Sequence, residues 1–185
     1  MLVDKNRLIT GANGKPVVLD VFCKKETARA VVIYMHGFNG FKDWANLDLV
    51  AQQFADAGFC FLKFNASHNG TTPEHPEAFF DFKAYGNNNY SKELYDLNAV
   101  ISFALSNDCP CAPLINNNQV LLLGHSRGGG VVLLQAANDE RVKGVATWAS
   151  GATRSMEGDR NRFLCEYPYR TKAAFILPAL PGLPG

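Results

Sequence analysis

The segment Val120-Leu121-Leu122-Leu123-Gly124-His125-Ser126-Arg127-Gly128-Gly129-Gly130 constrains the fold more than any other part of the chain. A short apolar run ends in Gly-x-Ser-x-Gly and passes directly into a stretch with helical character. That order describes a strand-to-helix turn so tight that its serine is forced into a strained, exposed backbone position, the nucleophile elbow. Gly124 and Gly128 flank the serine because side chains there would collide with the neighbouring strand or helix. The five-residue pattern is weak by itself. The strand before it and the helix after it make it specific.

A second landmark lies upstream. Ala30 to Met35 is an apolar run that reads as a buried strand, and it ends in His36-Gly37-Phe38-Asn39-Gly40. Together the two motifs resemble the α/β-hydrolase family. The resemblance implies Ser126 as nucleophile and an oxyanion hole of two backbone N–H groups, from Phe38 and Arg127, facing the charge of a tetrahedral intermediate. It also implies that His36 supports its turn. His125, inside the elbow, is read as packing or hydrogen bonding and not as the base.

In this family the order along the chain is Ser, then Asp or Glu, then His. Histidine occurs here only at positions 36, 68, 75 and 125, so none follows Ser126. A serine hydroxyl needs a neighbouring base to become a good nucleophile, and these residues do not supply a triad in the usual order. Candidate acids after the serine are Asp139, Glu140, Glu157, Asp159 and Glu166. Asp139 and Glu140 fall in the loop after the elbow helix, remote from Ser126, and read as a solvated turn. Asp159 falls on the correct edge but too early for the family's acid.

The chain of 185 residues can bury one sizeable core. Arg7–Thr10 and Pro16–Cys23 read as an opening hairpin around Gly11-Ala12-Asn13-Gly14. A helix is expected from Trp44 to Ala57, with Leu47, Val50, Ala51 and Phe54 on one face and Gly58 ending it. Phe59–Phe64 reads as a strand, and Ser91 as the N-cap of a helix carrying Leu94, Leu97, Ile101 and Leu105. After the elbow helix, Val142–Ala149 is one more strand. This alternation predicts an α/β fold with a mostly parallel central sheet flanked by helices. Against the family, strands one to six are present and the last two are missing. Residues 1–150 form the hydrolase core; residues 151–185 read as the start of a lid followed by an irregular, proline-rich tail. The chain is therefore expected to be a C-terminally truncated hydrolase. Its sixth strand would be a raw sheet edge, which predicts homodimer formation or poor solubility.

The polar stretch from Asn65 to Pro76, closed by Tyr85-Gly86-Asn87-Asn88-Asn89-Tyr90, reads as a long loop at the carboxyl end of the strands. Two readings stand side by side: substrate contact by His68, Asn69 and Tyr90, or a loop hydrogen-bonded to itself. His68 or His75 as a replacement base requires an approach to within about 3 Å of the serine oxygen.

Composition excludes other classes. Formal net charge is +1 with no basic stripe, which argues against nucleic acid. The N-terminus lacks the apolar core of a signal peptide, and no run approaches membrane-spanning length. Of five cysteines, Cys23 and Cys60 read as small core residues, and Cys109-Pro110-Cys111 lacks further ligands at zinc-site spacing. No cofactor or metal is expected, and the reading is of a reduced, cytoplasmic protein. Two functions stay open: a serine hydrolase splitting small-molecule esters, thioesters or small amides through an acyl-enzyme on Ser126, or a non-catalytic binding protein or inert fragment on the same scaffold.

Overall fold

The computed structural model describes residues 1–115 and 119–150, and the backbone of 173–176. One seven-stranded sheet runs through it, with strands β1 (Leu2–Thr10), β2 (Pro16–Cys23), β3 (Val31–Met35), β4 (Cys60–Asn65), β5 (Val120–His125), β6 (Val142–Trp148) and β7 (Ala173–Ile176). Their order across the sheet is β1-β2-β4-β3-β5-β6-β7. The β1–β2 hairpin is antiparallel, β2 lies antiparallel to β4, and β4, β3, β5 and β6 are mutually parallel. Apolar runs buried on both faces are what a parallel sheet between helices requires. All five residues of β3 and all six of β4 are buried.

Helix α1 (Leu47–Asp56) covers one face, and α3 (Tyr90–Ala104) and α4 (Arg127–Asn138) cover the other, with the short α2 (Phe82–Gly86) in the loop before α3. The larger core gathers Leu19, Ile33, Leu62, Leu97, Ile101, Leu122 and Val132. The smaller joins Phe22, Tyr34, Leu47 and Phe61 under α1. Helix α3 begins two residues earlier than expected. Asn89, not Ser91, is its N-cap, and its side chain accepts from Lys92 N at 3.0 Å. That start brings Tyr90 and Glu93 into the first turn, beside the site.

The face under α1 also buries charge. Lys42 Nζ lies 2.9 Å from Asp20 Oδ2 and 2.5 Å from Asp43 Oδ2, while Lys63 Nζ contacts Asp43, Asp48 at 2.5 Å and Asp20 at 3.3 Å. Asp20, Asp43 and Asp48 bring their carboxylates together, and with Lys5 Nζ 2.5 Å from Asp48 Oδ2 three ammonium groups already neutralise them. Burial works against ionisation of Asp43, but hydrogen bonds from Lys42 and Lys63 outweigh it and hold the carboxyl below its usual range.

Strand β7 pairs antiparallel with β6 in the register Val145↔Ile176 to Trp148↔Ala173. It lies within the tail read as irregular, and with it β6 is not the outer edge of the sheet. The reason is local. Ala173-Ala174-Phe175-Ile176 contains no proline, and an edge strand beside Pro178 needs to pair on one side only. The lid read for residues 151–170 and the remaining tail lie outside the described residues. No helix among the described residues is long and apolar enough to cross a membrane.

Candidate active site

The register of the parallel strands decides what meets at their carboxyl ends. Met35 stands opposite Phe64 on one side and Gly124 on the other. The next residues of the three strands, His36, Asn65 and His125, therefore emerge side by side. Ser126 follows with φ 50° and ψ −118°, a left-handed backbone for a residue with a side chain. The turn holds it there. Ser126 N donates to Trp148 O at 2.8 Å, and Gly129 N donates to Ser126 O at 2.9 Å. A Cβ on Gly124 would sit 2.5 Å from Gly128 O, and one on Gly128 would sit 2.3 Å from His36 O. The helix, the elbow and the preceding strand can close up only because both positions are glycine.

Gly37 faces the serine, where an added Cβ would lie 3.1 Å from Ser126 Cβ. The turn it begins is closed by Gly40 N donating to Gly37 O at 3.0 Å, with Asn39 at φ 57°. The N–H groups of Phe38 and Arg127 take no backbone partner among the described residues. The Ser126 hydroxyl does not cap its helix and takes no partner among them either.

His36 is fully enclosed. Its Nδ1 donates to Gly37 O at 2.9 Å and its Nε2 accepts from Ala66 N at 3.2 Å, which specifies the neutral tautomer. Burial pushes its pKa below that of an exposed imidazole. Nδ1 braces the turn itself, and Nε2 ties it to the loop after β4.

The residues around the turn enclose a small polar recess of about 60 Å³ lined by His36, Gly37, Phe38, Asn39, Asn69, Tyr85, Asn88, Glu93 and Arg127. Arg127 Nε lies 3.0 Å from both Glu93 carboxylate oxygens, and the guanidinium stacks over Tyr90 at 4.3 Å. Asn88 Nδ2 donates to Glu93 Oε1 at 2.9 Å, leaving Asn88 Oδ1 buried without a partner. Next to the recess lies an apolar hollow of about 360 Å³ lined by Asn39, Trp44, Phe79, Phe82 and Tyr85. The exposed Phe38 ring packs against Tyr85 at 5.8 Å, so the two spaces share a wall.

The expected substrate-contact residues separate. Asn69 lines the recess and holds the turn through Gly40 O at 3.3 Å. Tyr90 stacks on Arg127. His68 is buried, and its Nδ1 bonds to Ser67 Oγ at 2.8 Å, which in turn donates to Asp96 Oδ2 at 2.8 Å. His75 stacks on Phe80 at 4.1 Å, and His125 is exposed. Asp139 lies at the far end of α4, where Arg141 holds its pKa down at about 2. Glu157, Asp159 and Glu166 lie outside the described residues. The sequence reading did not single out Tyr85, Asn88 or Glu93. The one signal for Glu93 was its place three residues after Tyr90, in the helix turn that faces Arg127.

A family model described as the alpha/beta hydrolase fold matches residues 30–178, and the chain belongs to that family. The quorum-quenching protein AidA of Acinetobacter baumannii (strain MDR-ZJ06) is 32% identical over 134 residues, which are 71% of this chain and 40% of that protein. An uncharacterized 31.7 kDa protein from the traX-finO intergenic region of Escherichia coli is 27% identical over 124 residues, 63% of this chain and 36% of its own. Among solved structures, the alpha/beta hydrolase GrgF from Penicillium sp. sh18 superposes with a TM-score of 0.59 at 24% identity, covering 77% of this chain and 44% of that one. A thermostable carboxyl esterase from Bacillus coagulans gives 0.59 at 18% identity, covering 78% and 43%. The chain thus spans 36% to 40% of the length of the curated relatives it matches.

Proposed function

We propose that the chain carries the nucleophile half of a serine hydrolase, with Ser126 attacking the carbonyl carbon of a small-molecule carboxylic ester, thioester or small amide. The observation that carries this reading is the backbone of Ser126, a non-glycine residue held at φ 50° between a buried strand and a helix. Strain of this kind persists only where the surroundings enforce it, and it is found concentrated at reactive positions. As Ser126 Oγ bonds to the carbonyl carbon, the carbonyl oxygen gains negative charge. The N–H groups of Phe38 and Arg127 are the donors suited to receive it. Collapse of the tetrahedral species expels the alcohol, thiol or amine and leaves an acyl-enzyme on Ser126, which water then hydrolyses. The aromatic hollow beside Phe38 suits an apolar group of the substrate. Asn69 fits a substrate-contact role at the recess, and Tyr90 acts through Arg127.

The proton of Ser126 must go to a base, and the four histidines divide plainly on this point. His36 uses both ring nitrogens in the fold, and His68 is engaged with Ser67. The engagement of both His36 nitrogens and of His68 within the fold favours a second reading: a scaffold that binds a ligand without turning it over. Labelling with a fluorophosphonate probe separates the two. Labelling of the wild-type chain that disappears in Ser126→Ala supports an activated nucleophile. A folded chain that never labels supports the binding scaffold.

A further inference from the structure

At the opposite end of the parallel strands from Ser126, the fold gathers four cysteines. Cys23 is the last residue of β2 and Cys60 the first of β4. The antiparallel register that pairs Phe22 with Phe61 places these two directly across from one another at its next step. Cys109 and Cys111 come from the loop after α3, which is tied to the same end by Ala28 N donating to Leu114 O at 2.6 Å. Cys109 Sγ and Cys111 Sγ are 3.2 Å apart. All four belong to the larger core, where the β2–β4 register and the tethered loop bring their thiols to the same end of the sheet. All four are at most 1% exposed and none is in a disulfide. The fifth cysteine, Cys165, lies outside the described residues.

We propose that Cys23, Cys60, Cys109 and Cys111 form a closed tetrathiolate zinc site that fastens the α3–β5 loop to the sheet. The inference is independent of the chemistry at Ser126. Four thiols from three distant segments are the ligand number and type of a structural zinc centre. Spacing along the chain did not reveal the set, because two of the ligands are strand ends brought in by sheet register. The backbone N–H groups of Cys111 and Ala112 also point at Cys109 Sγ, donors suited to a metal-bound thiolate. Tetrahedral ligation at about 2.3 Å per Zn–S bond requires sulfur pairs about 3.8 Å apart. Loading would therefore open the Cys109–Cys111 pair slightly, draw the other sulfurs inward, since no three of the four lie within 4.8 Å of one another, and displace the Cys23 thiol from Lys24 O, which it contacts at 3.1 Å. One Zn²⁺ displaces four thiol protons to solvent, so affinity falls as pH is lowered.

The test is the zinc content of the full chain, purified under reducing conditions from zinc-supplemented cells, beside Cys111→Ser, Cys60→Ser and Ser126→Ala. About one zinc per chain is expected in the wild type and in Ser126→Ala, with loss from both cysteine variants. If the cysteine variants do not fold, cobalt substitution of the wild-type chain replaces them, with thiolate-to-cobalt charge transfer expected in the near ultraviolet. A folded chain that holds no zinc, takes up no cobalt and keeps four alkylatable thiols overturns the proposal. Intact mass showing an internal disulfide among the four does so too.

Discussion

Arg127 sets its guanidinium on Glu93, with Nε 3.0 Å from each carboxylate oxygen of a residue that is only 3% exposed. The side chain of the residue after Ser126 thus fastens α4 to α3. Removing the side chain leaves the N–H in place but strips a buried carboxylate of its cation. Arg127→Ala is expected to cost about 2 kcal/mol in urea unfolding, on the scale of a lost charged hydrogen bond. If the wild type is labelled by a fluorophosphonate, the folded variant is expected to label as well. Loss of labelling in a folded Arg127→Ala protein would show that the side chain takes part in the chemistry.

Gly128 admits no side chain, because a Cβ there would stand 2.3 Å from His36 O and 2.5 Å from Met35 O, both backbone atoms of a central strand and its turn. Gly128→Ala is expected to cost on the order of 3 kcal/mol or more, as overpacking against backbone does. Gly86 at the end of α2 has nothing within 4 Å of the same added atom. Gly86→Ala should be neutral or stabilising by up to about 1 kcal/mol. Thermal unfolding of the two variants side by side checks the contrast.

Lys63 is fully buried and serves Asp20, Asp43 and Asp48 together. Lys63→Met leaves buried carboxylates short of a counter-charge and is expected to destabilise by about 3 kcal/mol. Because the Asp43 carboxyl is held below its usual value, the network's contribution is full above about pH 4 and is lost as pH falls through the depressed folded value. Acid unfolding of wild type and Lys63→Met, followed by circular dichroism, should show the steeper loss in the wild type.

His36 gives a separate acid dependence. Its folded pKa lies below the unperturbed value of about 6.5, so the unfolded chain binds the proton more readily. The stability carried by neutral His36 is full above about pH 6.5 and declines as pH drops below it, by up to about 1.4 kcal/mol per pH unit. His68, also lowered by burial, adds to the same slope. His36→Asn should flatten the dependence between pH 7 and pH 5 without abolishing it. An unchanged slope would mean that His36 is not held neutral.

Much of the architecture was legible in residue pattern alone. The hairpin around Asn13-Gly14, the buried runs of β3, β4 and β5 and the Gly124-x-Ser126-x-Gly128 turn are local features. Each rests on what a few neighbouring residues permit, and the structure places each within a residue or two of its expected bounds except β1, which starts at Leu2, five residues before the expected Arg7. The start of α3 was misread because Ser91 and Asn89 are both good caps. Which one serves depends on where the preceding loop enters. The short strand Ala173–Ile176 went unassigned because four apolar residues beside a proline carry too little signal without the edge of β6 to pair with.

The candidate site divides along the same line. The turns that carry Ser126, Phe38 and Arg127 were legible because their motifs are contiguous and Gly37, Gly124 and Gly128 in them answer steric demands. The Arg127–Glu93–Asn88 chain and the Phe38–Tyr85 wall could not, since they join residues dozens of positions apart. His68 looked available on paper, yet the fold buries it against Ser67 and Asp96.

What the sequence by itself determined is the order of strands and helices and the strained serine turn, because these depend on short-range sterics. Only the tertiary structure decided which polar groups face the recess, how Lys5, Lys42 and Lys63 neutralise three carboxylates and that four cysteines share the far end of the sheet. Sheet register and helix docking set those distances, and neither is encoded in any one stretch of chain.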